Sequence, residues 1–165
     1  MTAPPEDFAS FYAATWSRLL RTTYAITGDA QLAEDALQTG FSHAYASWGR
    51  VRAANDPVAY VRRVAVNAAL AQRRRAFMRR ELMTEYVPET AHAAGVELDD
   101  VWQVVQALPA RQRTVIVLRY YEDLSEQQTA EAMGCRLGTV KSQASAALAT
   151  LRRVLREQSP EGEKA

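Results

Sequence analysis

The sequence predicts an all-α protein of two small helical domains, an N-terminal helical bundle and a C-terminal four-helix domain with a helix-turn-helix, joined by a flexible linker. Three observations carry this expectation. Apolar residues recur at three- and four-residue intervals through most of both halves, the period of a helix with one buried face. Asp, Ser, Pro and Gly stand where such helices should begin and end. Between about Phe77 and Glu97 the period fades into a stretch with Pro88, Gly95 and scattered glutamates, the composition of a linker. The expected divisions are therefore residues 1–76, 77–97, 98–156 and a disordered tail 157–165.

In chain order, Pro4, Pro5, Glu6 and Asp7 lead into a first helix with Phe8, Phe11, Tyr12, Trp16, Leu19, Leu20 and Tyr24 on one broad face. Gly28 and Asp29 stop it, and Asp29 caps a second helix carrying Leu32, Ala36, Leu37, Phe41, Ala44, Tyr45 and Trp48, which Gly49 is expected to end. Glu34, Asp35 and Gln38 form an acidic and amide patch away from that stripe. The segment Gly49 to Asp56, GRVRAAND, is read as an irregular polar loop. Asp56-Pro57 then starts a third helix, with Val61, Val64, Ala65, Ala68 and Ala71 as the buried side. Arg62, Arg63, Asn67, Arg73, Arg74 and Arg75 form its basic edge, which suits phosphate contact better than plain solvation.

Beyond the linker, Leu98, Val101, Trp102, Val105 and Leu108 predict a short amphipathic helix, and Pro109 opens another that buries Val115, Ile116 and Leu118. Ser125 with Gln128 makes a capping box, so a helix starts at about Glu126. Gly134 suits a left-handed terminator, and Ala130 is small enough for a close crossing. The last helix runs from about Gly138 and buries Val140, Ala144, Leu148, Leu151 and Leu155, leaving Lys141, Ser142, Ser145 and Arg152 outward. Small hydrogen-bonding groups and a cation at the start of such a helix fit a DNA major groove.

Nearly half of the 165 residues are apolar, enough for one domain or two with thin cores. The net charge of +1 hides an uneven distribution: nine cations against six carboxylates over residues 1–75, two against six over 76–100, and nine against seven over 101–165. Two mildly basic blocks flanking an acidic bridge suit a chain that touches DNA weakly at two places, or one whose affinity comes from a larger partner. Cys135 is the sole cysteine, and neither His43 nor His92 has companions at ligand spacing, so neither a disulfide nor a metal site is expected. Nothing resembles a signal peptide or a membrane span, and the chain is expected to be cytoplasmic, with no membrane insertion and no further C-terminal domain. No catalytic constellation or phosphate-cradling glycine loop is present, so neither an enzyme nor a cofactor is expected.

Two stretches carry a family resemblance. GTVKSQ at Gly138 to Gln143, after LPARQRTVIVLRYYEDLS at Leu108 to Ser125, resembles the C-terminal domain of RNA polymerase sigma factors of the extracytoplasmic-function (ECF) type, in the sigma-70 family, and of an actinobacterial subgroup in particular. AEDALQTGF at Ala33 to Phe41 resembles the segment with which those proteins grip the clamp helices of the polymerase beta-prime subunit. The resemblance implies that Glu34, Asp35, Gln38 and Phe41 bind polymerase, and that Thr139, Lys141, Ser142, Gln143 and Ser145 face the minus-35 element, beside a contact to the beta flap. It further implies that the loop and third helix meet the minus-10 element, where a base is turned out of the stack. Asn55 and Asp56 would read that base, Arg50, Arg52, Arg62 and Arg63 would hold phosphates, Asn67 would do either, and Trp48 and Tyr60 are candidates for stacking. Glu81, Glu85, Glu89 and Glu97 would give the linker an RNA-like charge within the polymerase. An anti-sigma protein is a possible partner.

Two departures stand out. Gln143, Ala146 and Leu148 occupy places where the family often has arginines, and Thr129 replaces a bulky apolar residue, which is expected to loosen the core. The alternatives are a stand-alone helix-turn-helix regulator that binds duplex DNA without polymerase, and a sigma-like interaction protein with weakened promoter reading.

Overall fold

The computed structural model describes residues 7–82 and 100–158, and those residues are helical with no strand. The first four helices are α1 (Phe8–Thr27), α2 (Ala30–Ala46), α3 (Trp48–Ala53) and α4 (Pro57–Leu82). They are followed by α5 (Asp100–Ala107), α6 (Ala110–Ile116), a π-helical turn (Val117–Tyr121), α7 (Glu126–Met133) and α8 (Leu137–Gln158). The acidic linker residues Glu85, Glu89 and Glu97, together with Pro4, Pro5, His92, Leu98 and the tail beyond Gln158, lie outside the described residues.

Local signals set most boundaries. Asp7 caps α1 by accepting from the Ser10 N–H at 2.7 Å, Asp29 caps α2 through the Leu32 N–H at 2.9 Å, and Asp56 caps α4 through the Ala59 N–H at 3.0 Å. Gly28 ends α1 at φ 69°. Three expectations fail. The second helix ends at Ala46 and not at Gly49, which falls inside α3. GRVRAAND is not irregular throughout, because Val51, 3% exposed, anchors a short helix onto the bundle. The third helix continues through Phe77 to Leu82, into the segment read as linker.

Phe11, Leu19, Leu37, Phe41, Ala44, Val51, Val61 and Ala65 form the core of the first bundle. A second cluster, Val105, Leu108, Ile116 and Ala147, lies within the C-terminal half. The remaining cluster spans both halves. Ala25, Ile26, Ala36, Val66, Ala69 and Leu70 from the first pack with Val115, Val117, Leu118, Leu124, Ala130, Ala132, Met133 and Val140 from the second. This explains why the buried side of α4 is broader than its sequence stripe: Val66, Ala69 and Leu70 are buried, whereas Val64, Ala68 and Ala71 are only half-buried. Fully burying a side chain such as Ile26 or Val66 is worth roughly 1.5–3 kcal/mol. The apolar contact therefore dominates the closure of the two halves.

Polar groups fix how the halves meet. The open carbonyls at the end of α1 are met by the second half: Gln106 Nε2 donates to the Ala25 carbonyl at 2.8 Å and Arg113 Nη1 to that of Ile26 at 3.2 Å. Arg113 Nη2 also donates to Leu108 O at 3.0 Å. Only 4% of Arg113 is exposed. Burial, with a smaller contribution from Arg73, pushes its guanidinium down to about 10. A cation at a helix C-terminus complements the negative end of the dipole, and here it comes from the other half of the chain.

Candidate nucleic-acid interface

The helix-turn-helix is built by two caps. Ser125 Oγ accepts from the Gln128 N–H at 3.0 Å and Gln128 Oε1 accepts from the Ser125 N–H at 2.8 Å, which closes the capping box of α7. Gly134, at φ 61°, ends α7 in the left-handed region, and the Cys135 N–H reaches back to the Ala130 carbonyl at 3.0 Å. Thr129 sits inside this corner. It is fully buried and its hydroxyl donates to the Ser125 carbonyl at 2.8 Å, so the polar atom is satisfied and the smaller side chain is enclosed.

Val140 and Ala147 pin α8 to this unit. Lys141, Ser142 and Ser145 are exposed along its first turns, with Thr139 and Gln143 half-buried beside them. Ser142 Oγ donates to the Thr139 carbonyl at 3.0 Å, leaving its lone pairs outward. Arg136, exposed in the turn just before α8, adds a cation that the sequence reading passed over. Its signal was its place at the mouth of the helix that carries GTVKS.

On the first half, Arg50, Arg52, Asn55, Asp56, Arg63 and Asn67 are all exposed along α3, the following loop and one edge of α4. Arg50 Nη2 donates to Ser47 Oγ at 3.2 Å. Asp56 spends one carboxylate oxygen on its cap. Tyr60 is 36% exposed. Trp48 instead packs with Phe8 and Phe11, ring centroids 5.5 and 5.0 Å away, so it is a core aromatic and not a stacking platform.

Arg62 departs from the rest of this edge. It is only 7% exposed, lying near Glu122 of the other half, because α4 is covered on the side the apolar stripe left open. Asn67 Nδ2 donates to the Arg63 carbonyl at 2.7 Å and to the Ala132 carbonyl at 3.2 Å. One side chain of the basic edge thus touches the corner of the helix-turn-helix.

The acidic and amide patch survives as a surface, since Glu34, Asp35 and Gln38 are exposed together on α2. Phe41 lies beneath it, at the floor of the adjoining groove. At 3% exposure it is packed among Phe8, Phe11, Tyr12 and Trp16. The accessible aromatics beside Gln38 are Tyr12 and Tyr45, 36% and 68% exposed, which with Phe8, Gln38, Phe41 and Ser42 line an apolar groove. Sequence periodicity had assigned both tyrosines to the buried side.

The comparisons with known proteins agree with this two-part layout. The family profile described as Sigma-70 region 2 matches residues 11–77, and that described as Sigma-70, region 4 matches residues 98–151. The RNA polymerase sigma-E factor of Streptomyces coelicolor is 35% identical over 156 residues, covering 90% of this chain and 86% of that protein. The ECF RNA polymerase sigma factor SigM of Mycobacterium tuberculosis is 34% identical over 140 residues, covering 84% and 70%. Among solved structures, the sigma factor RpoE in complex with the anti-sigma factor NepR, from Bartonella quintana, shares the fold at a TM-score of 0.71 and 22% identity, with 92% of this chain and 98% of that one covered. CnrH in complex with the cytosolic domain of CnrY does so at 0.58 and 21%, with 91% and 88% covered.

Proposed function

The chain belongs to the ECF RNA polymerase sigma factors of the sigma-70 family, and from that premise we propose how its surfaces share the work of promoter-specific transcription initiation. The exposed face of Glu34, Asp35 and Gln38, with Tyr12 and Tyr45 as apolar anchors, docks on core polymerase. An aromatic beside charged groups is the usual make-up of a protein-protein hot spot. Arg136, Lys141, Ser142 and Ser145, with Thr139 and Gln143 at their flank, face the upstream duplex. Asn55 and Asp56 receive an unpaired base, while Arg50, Arg52 and Arg63 hold the strand by its phosphates.

The observation that carries this reading is the presence, on one chain, of a region-2 match and a region-4 match, each offering an exposed polar face outside its core. The protein acts by binding and catalyses no reaction. Its place is the cytoplasm, where polymerase and promoter are; no helix among the described residues is long and apolar enough to cross a membrane. Both solved relatives named above were captured with a protein partner, and an anti-sigma protein that holds the chain closed is part of the proposal.

Run-off transcription with purified chain and core polymerase on a promoter library tests it. Specific transcripts are expected, lost in a Lys141→Ala/Ser145→Ala variant and in an Asp35→Ala/Gln38→Ala variant. The second variant alone should also fail to co-purify with polymerase. A tight gel shift on duplex DNA without polymerase would favour a stand-alone regulator, and polymerase binding without any transcript would favour the interaction protein.

A further inference from the structure

Glu122 follows the π turn, and its side chain is pressed against the first half with 5% of its surface exposed. Oε1 accepts from the Thr22 hydroxyl and Oε2 from Arg18 Nη2 at 3.3 Å. Arg62 lies close enough to feel the charge of both Glu122 and Arg18. Only 7% of it is exposed, and its Nε is buried with no hydrogen-bond partner. Burial holds its guanidinium below the ordinary arginine range, partly offset by Glu122 and Asp56. One guanidinium and a hydroxyl of the first half thus hold a single carboxylate of the other, while a second, buried guanidinium lies near enough to feel its charge and keeps one donor unused.

A structural ion pair would be expected to match donors to acceptors, since an unpaired buried donor is unfavourable. Here one buried guanidinium donor stays unused beside the carboxylate, and a phosphodiester, which also presents two charged oxygens, is an anion that guanidinium groups bind well. Removing Glu122 by parting the halves would leave Arg18 and Arg62 without their anion. Arg63 continues the same edge of α4 in the open, and Asn67, which bonds the Ala132 carbonyl in the closed chain, would be released with it, so a bound strand could run from this site along the helix.

We propose that Arg18, Thr22 and Arg62 form an anion site on the first half that Glu122 fills in the closed chain, and that the sugar-phosphate backbone of a DNA strand takes the place of Glu122 when the halves part. This rests on the reading that the first half holds an unpaired strand. Closure and strand binding then exclude one another, and by linkage each weakens the other by the same factor.

The test uses the full chain with donor and acceptor dyes at Ala13→Cys and Ala149→Cys, in a Cys135→Ser background, so that energy transfer reports closure. Single-stranded DNA is titrated in one arm and inorganic phosphate in the other. Strand binding should lower transfer. Glu122→Gln should lower transfer without ligand and tighten strand binding roughly five- to tenfold, the low end of usual couplings. Adding Arg18→Gln and Arg62→Gln should remove that gain while transfer stays low. Thr22→Val, which keeps every charge but removes a donor from the site itself, should lower transfer by less and bring no gain in strand binding, and far-UV circular dichroism checks that each variant is folded. Unchanged transfer in folded Glu122→Gln, or a gain in affinity that survives loss of both arginines, would overturn the proposal. Opening by inorganic phosphate at equal phosphate concentration would overturn the assignment to a strand in favour of a small oxyanion. Because no polymerase is present, a failed run-off assay leaves these outcomes standing.

Discussion

Gly40 shows how much one hydrogen atom decides in this bundle. A Cβ there would lie 2.8 Å from the Val61 carbonyl oxygen and 3.1 Å from Val61 Cγ1, so α2 and α4 could not keep their distance. Gly40→Ala is expected to lower stability by about 1–3 kcal/mol, the usual range for overpacking, read as a lower urea midpoint with an unchanged slope; an unchanged midpoint would mean the helices slide apart freely. Residue type alone did not reveal this contact, since Gly40 looks like an ordinary small residue in a helix. The same limit explains Arg62. It is covered by the other half of the chain, which a spacing pattern within one helix does not encode. Spacing puts Phe41 and Trp48 on the apolar stripe, whereas surface roles for them come only from the resemblance and from ring chemistry.

Helices were legible where caps were. Asp7, Asp29, Asp56, Ser125 with Gln128, Gly28 and Gly134 each mark a boundary by a hydrogen bond or a backbone conformation that a residue type favours. Ser125→Ala should destabilise the start of α7 by about 1 kcal/mol, seen as faster hydrogen exchange at the amides of Gln128 and Thr129. Equal exchange rates would mean the capping box is not what holds that turn. Asp7 gives a pH-dependent case. Hydrogen bonds from Ser10 hold its carboxyl below the ordinary value of 3.8, so its cap is complete above that value and is lost as pH falls through the lower folded one. The Ser10 amide resonance should therefore titrate with a midpoint below 3.8; a midpoint above it would contradict the cap. Elements without such marks were missed. α3 is held by Val51 and by Trp48 on Phe8 and Phe11, neither of which marks where it begins or ends, and the π turn inserts itself into a stretch whose apolar spacing reads as plain helix.

At the scale of the whole chain, two helical parts were legible, although α4 runs past Ala76 to Leu82, but the shared core was not, because its members look like ordinary buried positions of two separate bundles. Closure should resist salt, since apolar contact carries most of it and buried pairs are screened much less than exposed ones. X-ray scattering in low and high salt should give a radius of gyration near the roughly 15 Å of a compact chain this long, and below about 20 Å in both. Arg113→Met leaves the carbonyls of Ile26 and Leu108 without their donor, at a cost of about 1–3 kcal/mol, and should raise that radius; an unchanged value would mean the apolar cluster needs no polar guide. The π turn, finally, has an angular consequence. An α-helix turns about 100° per residue, so the wider turn sets the azimuth at which Glu122 leaves its helix. Deleting Tyr120, whose ring is largely in solvent, would restore ordinary winding and swing that carboxylate off α1 while removing no interior contact of its own. A chain so shortened would keep both bundles and lose the phase that lets one address the other.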